Sequence, residues 1–163
     1  MPLNGAILSE IAGRYRRVRS GLDVGFGDED VTNALRNLRG GVWMSIGARK
    51  AFPFEDGQFE VVVMAGGEVN RESVREANRV LKPEGCLFFS VAERTRRQPG
   101  YTIPEVYRMI REGFDILSVR RPGWWFFRRV RTLTVCARKK AWREHKGFLR
   151  GGALPFTPFR KRS

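Results

Sequence analysis

The sequence predicts an α/β fold, a doubly wound and mostly parallel sheet with an antiparallel C-terminal strand. Three observations carry that prediction. Gly21-Leu22-Asp23-Val24 runs into the turn Gly25-Phe26-Gly27-Asp28, and Val31, Ala34, Leu35 and Leu38 follow at helical spacing. Further apolar runs then alternate with helical patterns along the chain. The last two strand-like runs are joined by a turn containing Pro122-Gly123, so they can pair antiparallel.

A strand, a tight glycine turn and a helix form the opening unit of nucleotide-binding α/β sheets. Glycine allows φ > 0 and lets a ligand reach the backbone without meeting a Cβ. The helix then points its unpaired N–H groups at whatever lies over the turn. In such a sheet the ligand sits outside the carboxyl ends of the strands, where their order reverses. The first strand is the natural switch strand, which places a ligand over Gly25, Phe26 and Gly27.

The other elements follow in order. Ile7, Leu8, Ile11, Tyr15 and Val18 predict an amphipathic helix over 5–19, with Arg14, Arg16, Arg17 and Arg19 on its solvated side. The helix after the glycine turn covers about 28–38 and stops at Gly40-Gly41. Val42-Trp43-Met44-Ser45-Ile46 is a short second strand, followed by an irregular loop and the turn Glu55-Asp56-Gly57. Residues 59–65 are a near-continuous apolar run, as in a central parallel strand covered on both faces. Asn70 caps a helix to about Leu81, which Pro83-Glu84-Gly85 stops. Residues 86–91 are a strand, and 94–100 a basic exposed loop. Pro104 fits the first turn of a helix through Arg111, ended by Gly113. Residues 114–120 alternate as a strand, and 130–137 form the last one. Trp124-Trp125-Phe126-Phe127 between them reads either as packing at a hairpin tip or as a stacking surface. One domain over 1–138, including an N-terminal helix within 1–20, is followed by a basic, aromatic-containing tail over 139–163.

Composition bounds the function. Lys+Arg number 31 against 17 Asp+Glu, a net charge of +14. That excess favours an anionic partner such as RNA or a ribonucleoprotein, or else reflects arginine-rich usage with a solvated face. Cys86 and Cys136 sit in apolar strand-like runs and read as buried thiols. The single histidine, His145, lies in the tail, which argues against a His-based metal site or a Ser-His-Asp triad. No apolar run approaches the roughly 20 residues of a membrane helix. No signal-peptide core is seen at the N-terminus. A soluble cytoplasmic protein without a metal or a membrane partner is expected.

Three stretches resemble class I S-adenosylmethionine-dependent methyltransferases, closest to the small-molecule and quinone C-methyltransferase group. Leu22-Asp23-Val24-Gly25-Phe26-Gly27 is similar to the family's first glycine motif. Residues 52–62, from Phe52-Pro53-Phe54 to Val61-Val62, are similar to its "lPFpDgsFDvV" stretch. Residues 76–87, from Glu76-Ala77-Asn78-Arg79 to Leu87, are similar to its "E.xRvLKPGGxL" stretch. The resemblance covers about 21–137 and implies a Rossmann-like methyltransferase sheet with S-adenosylmethionine as cofactor. It implies that Asp23 lies near the cofactor's amino-acid end. The backbone through Gly25, Phe26 and Gly27 would face its methionine part, and Met64 and Ala65 would line the methyl-transfer side. No catalytic residue is assigned, because such transfer can rest on positioning alone.

The departures from the pattern are specific. Glu29 stands where the family has a third small residue. If Val42–Ile46 is the family's third strand, its best alignment, Ala48 replaces the acid that accepts a bond from adenine. The second strand, the sheet's neighbour to the first, is then missing. If instead Val42–Ile46 is the second strand, Ser45 or Ile46 stands where the ribose-gripping acid belongs. Either way the sheet is shortened after its first βα unit and the bidentate carboxylate is absent. The resemblance therefore implies a methyltransferase with a reduced cofactor pocket and an unidentified, nucleic-acid-related acceptor. A non-catalytic methyltransferase-like protein that binds RNA or a ribonucleoprotein through its tail is the alternative. A subunit that completes its sheet edge against a protein partner or a second copy is a third reading.

Overall fold

The structure is a computed structural model that describes residues 5–25, 29–47, 49–65, 69–121 and 131–141, without the side chains of residues 29–31. In chain order these form α1 (Gly5–Arg14), β1 (Ser20–Gly25), α2 (Glu29–Arg39), β2 (Val42–Gly47), β3 (Phe59–Met64), α3 (Arg71–Val80), β4 (Leu81–Ala92), α4 (Ile103–Ile110), β5 (Phe114–Arg120) and β6 (Thr132–Lys139). The described strands make one sheet in the order β2-β1-β3-β4-β6-β5. β2, β1, β3 and β4 run parallel, and β6 is antiparallel to both β4 and β5.

The doubly wound reading holds, and its cause is the apolar content of both sheet faces. Leu22, Val24, Val62, Leu87, Phe89 and Val135 face one layer, which is filled by Val74, Ala77 and Val80 of α3 and by Val106 and Ile110 of α4. Val61, Val63, Cys86, Phe88 and Cys136 face the other, against Ile7 and Ile11 of α1 and Leu35 of α2. Burying each such side chain contributes about 1.5–3 kcal/mol before entropy is counted. Cys86 and Cys136 are free thiols within this core, as expected.

The helix ends follow local chemistry. Gly40 and Gly41 take φ of +68° and +80°, and the Gly40 amide donates to the Arg36 carbonyl, closing α2 as the glycine pair predicts. Asn70 caps α3: its side chain accepts from the Ser73 amide, and the Ser73 hydroxyl accepts from the Asn70 amide. Thr102 and Glu105 make the same reciprocal cap on α4, with Pro104 in its first turn.

Two boundaries differ from the sequence reading. The first helix ends at Arg14 rather than near Arg19. Tyr15 and Val18 still pack into the core, but from the connection to β1. Glu10 of this helix is buried and pairs with Arg120 at 2.6 Å, Arg14 at 3.3 Å and Ser118, which fastens α1 to β5. The second difference lies at Pro83-Glu84-Gly85. The chain leaves α3 at Leu81 and is already strand, with Leu81 opposite Phe59. The register then shifts before Val61 meets Cys86, and Glu84 takes φ +64°. Pairing with β3 overrides the breaker residues. Apart from Arg121, the turn expected at 121–127 with its aromatic run, and the tail beyond residue 141, lie outside the described residues. β6 itself runs through Lys139, whose ammonium donates to the Asn78 and Leu81 carbonyls at the end of α3.

At the centre of the sheet Gly21 lies opposite Trp43, and a Cβ at Gly21 would run into the indole ring. Gly21→Ala is therefore expected to cost about 1–3 kcal/mol through overpacking. A urea titration would read this as a lower midpoint at unchanged slope. An unchanged midpoint would show that the ring moves aside freely.

Candidate functional site

The strand order reverses at β1: the chain steps from it to β2 on one side and to β3 on the other. The carboxyl ends of these three strands therefore converge. In the register of the sheet Asp23 is opposite Ser45 and Val63, Val24 is opposite Ile46, and Gly25 is opposite Gly47. Asp23, Gly25, Ser45, Ile46, Met64 and Ala65 are thus brought to one end of the sheet. Phe26 and Gly27 lie outside the described residues, as do Ala48 and the Glu29 side chain.

Each predicted residue has a definite setting. Asp23 is buried and accepts a hydrogen bond of 3.3 Å from the Thr32 hydroxyl, which joins β1 to α2. Ser45 is half-buried, and its hydroxyl oxygen is shielded from solvent with no hydrogen-bond partner among the described residues. Ile46 packs against the core layer under α3 and α4, in which Met64 is buried. Ala65 belongs to the opposite layer. Among the described residues, a Cβ at Gly47 would meet a single atom within 4 Å, the Gly25 carbonyl oxygen at 3.9 Å.

β2 pairs directly with β1, in parallel, and is the edge of the described sheet. Val42–Gly47 therefore fills the place beside β1, as it does under either alignment: as the second strand itself, or as the third with the second missing. The strand ends in Ser45, Ile46 and Gly47 without a carboxylate.

A feature that the sequence reading did not single out shapes the rim. Phe52 is buried, and its amide donates to the Glu76 carboxylate of α3. Arg79, one turn on, donates to Glu76, to the Asp56 carboxylate and to the Phe52 and Phe54 carbonyls, at 2.8–3.0 Å. Two of the quoted motif stretches, 52–62 and 76–87, are thus one device that staples the loop after β2 onto α3. The signal was present as their joint occurrence. Arg79 holds the Glu76 carboxyl below its ordinary range, chiefly through their hydrogen bond, and the Arg79 guanidinium is raised in turn.

On the far side of the rim, the loop after β4 is pinned by Gln98, which donates to the Glu93 and Arg131 carbonyls. Tyr101 ties the same loop to the Val69 carbonyl after β3. Arg96 and Arg97 stand at its exposed tip. Among the described residues no group of three or more His, Cys, Asp or Glu side chains could hold a metal ion. No helix among them is long and apolar enough to cross a membrane.

No protein-family model matches the chain, and no curated protein matches it in sequence. Its fold does match solved structures. A putative sarcosine dimethylglycine methyltransferase from Galdieria sulphuraria superposes with a TM-score of 0.65 at 13% identity, covering 83% of this chain and 84% of that one. A SAM-dependent methyltransferase from Aquifex aeolicus gives 0.62 at 17%, covering 83% and 88%. The 1,6-didemethyltoxoflavin-N1-methyltransferase of Burkholderia thailandensis, solved with S-adenosylhomocysteine, gives 0.62 at 16%, covering 83% and 77%. The chain has the class I S-adenosylmethionine-dependent methyltransferase fold. At these identities the likeness is one of architecture, and it extends over most of each neighbour's length.

Because Glu76 is held below its ordinary pKa of about 4.3, its pairing is at full strength above that pH and is lost as the pH falls through the lowered value. Glu76→Gln is expected to destabilise by about 1–2 kcal/mol at pH 7. The difference from the parent in urea midpoint should shrink on acidification below pH ~4. A difference that stays constant with pH would remove the ion pair from the account.

Proposed function

We propose that the protein is a methyltransferase that binds S-adenosylmethionine over the carboxyl ends of β1, β2 and β3. The single observation that carries the reading is the convergence of Gly25, Gly47 and Met64 at the switch point of a methyltransferase-type sheet. The donors and surfaces fit the cofactor in part. The end of β1 and the room that the described residues leave at Gly47 suit a close backbone approach, and the Ser45 hydroxyl is a polar group without a partner among the described residues. The carboxylate that would take both ribose hydroxyls is missing from β2. Losing two such bonds weakens binding by about a hundredfold.

When bound, the cofactor supplies a methyl group already activated on a sulfonium. What remains for the chain is to hold acceptor and methyl in line, which Asp23, Gly25, Phe26, Gly27, Met64 and Ala65 would do without an acid or base. The acceptor is anionic and nucleic-acid-related in this reading. Its support is a rim of exposed cations at the same end of the sheet: Arg49, Lys50, Arg71, Arg96, Arg97 and Arg131, none of which forms an ion pair among the described residues. A cytoplasmic setting follows from that choice of acceptor. The basic segment 139–163 would add affinity for RNA or a ribonucleoprotein, and the sheet edge would take a protein partner or a second copy.

Titration calorimetry with S-adenosylmethionine and S-adenosylhomocysteine tests the cofactor. Binding at millimolar ligand or tighter is expected, and heat indistinguishable from dilution would reject the reading. Gly47→Asp places a carboxylate at the end of β2, and is expected to tighten both ligands by about tenfold.

The second reading, a non-catalytic RNA-binding protein, is favoured by the absent carboxylate together with the unpaired rim. Under both readings the Arg96→Ala/Arg97→Ala pair should lower the slope of log affinity against log salt by about 1–2 in filter binding to single-stranded RNA. A slope equal to the parent's would take the loop after β4 out of the interface. RNA binding without any cofactor binding would select this second reading.

A further inference from the structure

β2 ends the described sheet, and its outer edge has no strand beside it. The Val42 amide donates inward to the Arg19 carbonyl at 3.0 Å. Backbone groups alternate in direction along a strand, so those of Trp43, Ser45 and Gly47 face the open edge. Such a row of N–H and C=O groups is a template for another strand, and edges are normally blunted with a lysine, a proline, an inward charge or a bulge. The sequence Val42–Gly47, VWMSIG, contains no charge and no proline, and its register against β1 runs unbroken through all six residues. Three large apolar side chains are exposed among the described residues, and two of them are on this strand: Val42 is 68% exposed and Met44 41%. Among the described residues an unpaired edge and an exposed apolar stripe coincide.

Charge selects the occupant. Arg16, Arg17 and Arg19 stand exposed at the starting end of β2, and Arg49 and Lys50 stand exposed just past its finish. None of the five forms an ion pair among the described residues. A second copy added antiparallel would set Arg17 and Arg19 of one chain against Arg49 and Lys50 of the other. Added parallel, it would set like against like. A segment carrying carboxylates would instead meet cations at both ends.

We propose that β2 is a docking edge for an acidic protein segment, which adds to the sheet as a further strand, covers Val42 and Met44, and pairs its carboxylates with the flanking cations. This rests on the reading of the sheet edge as a partner site and is independent of methyl transfer. Main-chain bonding would supply affinity, and alternate side chains the specificity.

The test uses the full chain and two short blocked peptides, one alternating valine with glutamate and one alternating valine with lysine. Fluorescence anisotropy reads binding, and amide exchange by NMR reads its place. The glutamate peptide is expected to bind, to slow exchange at Trp43, Ser45 and Gly47 by about tenfold or more, and to weaken with salt. The lysine peptide should not bind. Val42→Lys should abolish peptide binding while the melting temperature and the cofactor calorimetry stay at the parent's values. Equal binding of both peptides, or no slowing at those three amides, overturns the proposal. So does protection of the same amides already present in the free chain, or a doubling of mass in sedimentation that Val42→Lys reverses. Loss of cofactor binding in the parent leaves the peptide result standing, so the two readings fail separately.

Discussion

The arrangement depends on one constraint: β1 must have a parallel neighbour on each side. Only then do the ends of β1, β2 and β3 meet and leave a cleft at the point where the chain changes direction. The constraint is severe at Gly21, where β2 comes close enough for the Trp43 ring to lie over the glycine backbone. It also governs the layers. α2 lies against one face on the way from β1 to β2, and α3 against the other on the way from β3 to β4. Any side chain at residue 21 that pushed β2 aside would disturb the register that sets Gly25 beside Gly47.

The second requirement is a rim that stays in place. The loop after β2 carries no helix or strand over its described residues 49–58. It is held instead by Glu76 and Arg79, which accept and donate where a strand ladder would otherwise do so. Charge-assisted bonds of this kind are stronger than neutral ones, and several on one guanidinium fix its orientation. The converging strand ends, the stapled loop and the basic loop after β4 together set a cationic rim at the carboxyl end of the sheet.

Much of this was legible in the sequence, and the exceptions are instructive. The strand that leads into the glycine turn, the capped helix after Asn70 and the strand at 114–120 are local patterns, and each folds as its pattern predicts. The place of Val42–Gly47 was not local. A mostly apolar run says strand, but which neighbour it bonds to depends on the sheet, and the sequence left two alignments of it open. Leu81 to Gly85 misled for a related reason, since its proline and glycine are breaker residues that pairing with β3 absorbs. Glu10, which the sequence reading did not single out, is buried and pairs with Arg120 from more than a hundred positions away. The site residues are legible as positions at strand ends. The missing carboxylate was legible as well, because a motif has a place for it; the Glu76 and Arg79 network was not, because its partners lie 24 to 27 positions apart.

The most direct test of the account is an amide NMR titration of the full chain with S-adenosylhomocysteine. The account predicts shifts concentrated at Gly25, Ser45, Ile46, Gly47, Met64 and Ala65, the ends of three adjacent strands. Saturation without shifts at those positions, or shifts confined to residues of α3 and α4, would contradict it.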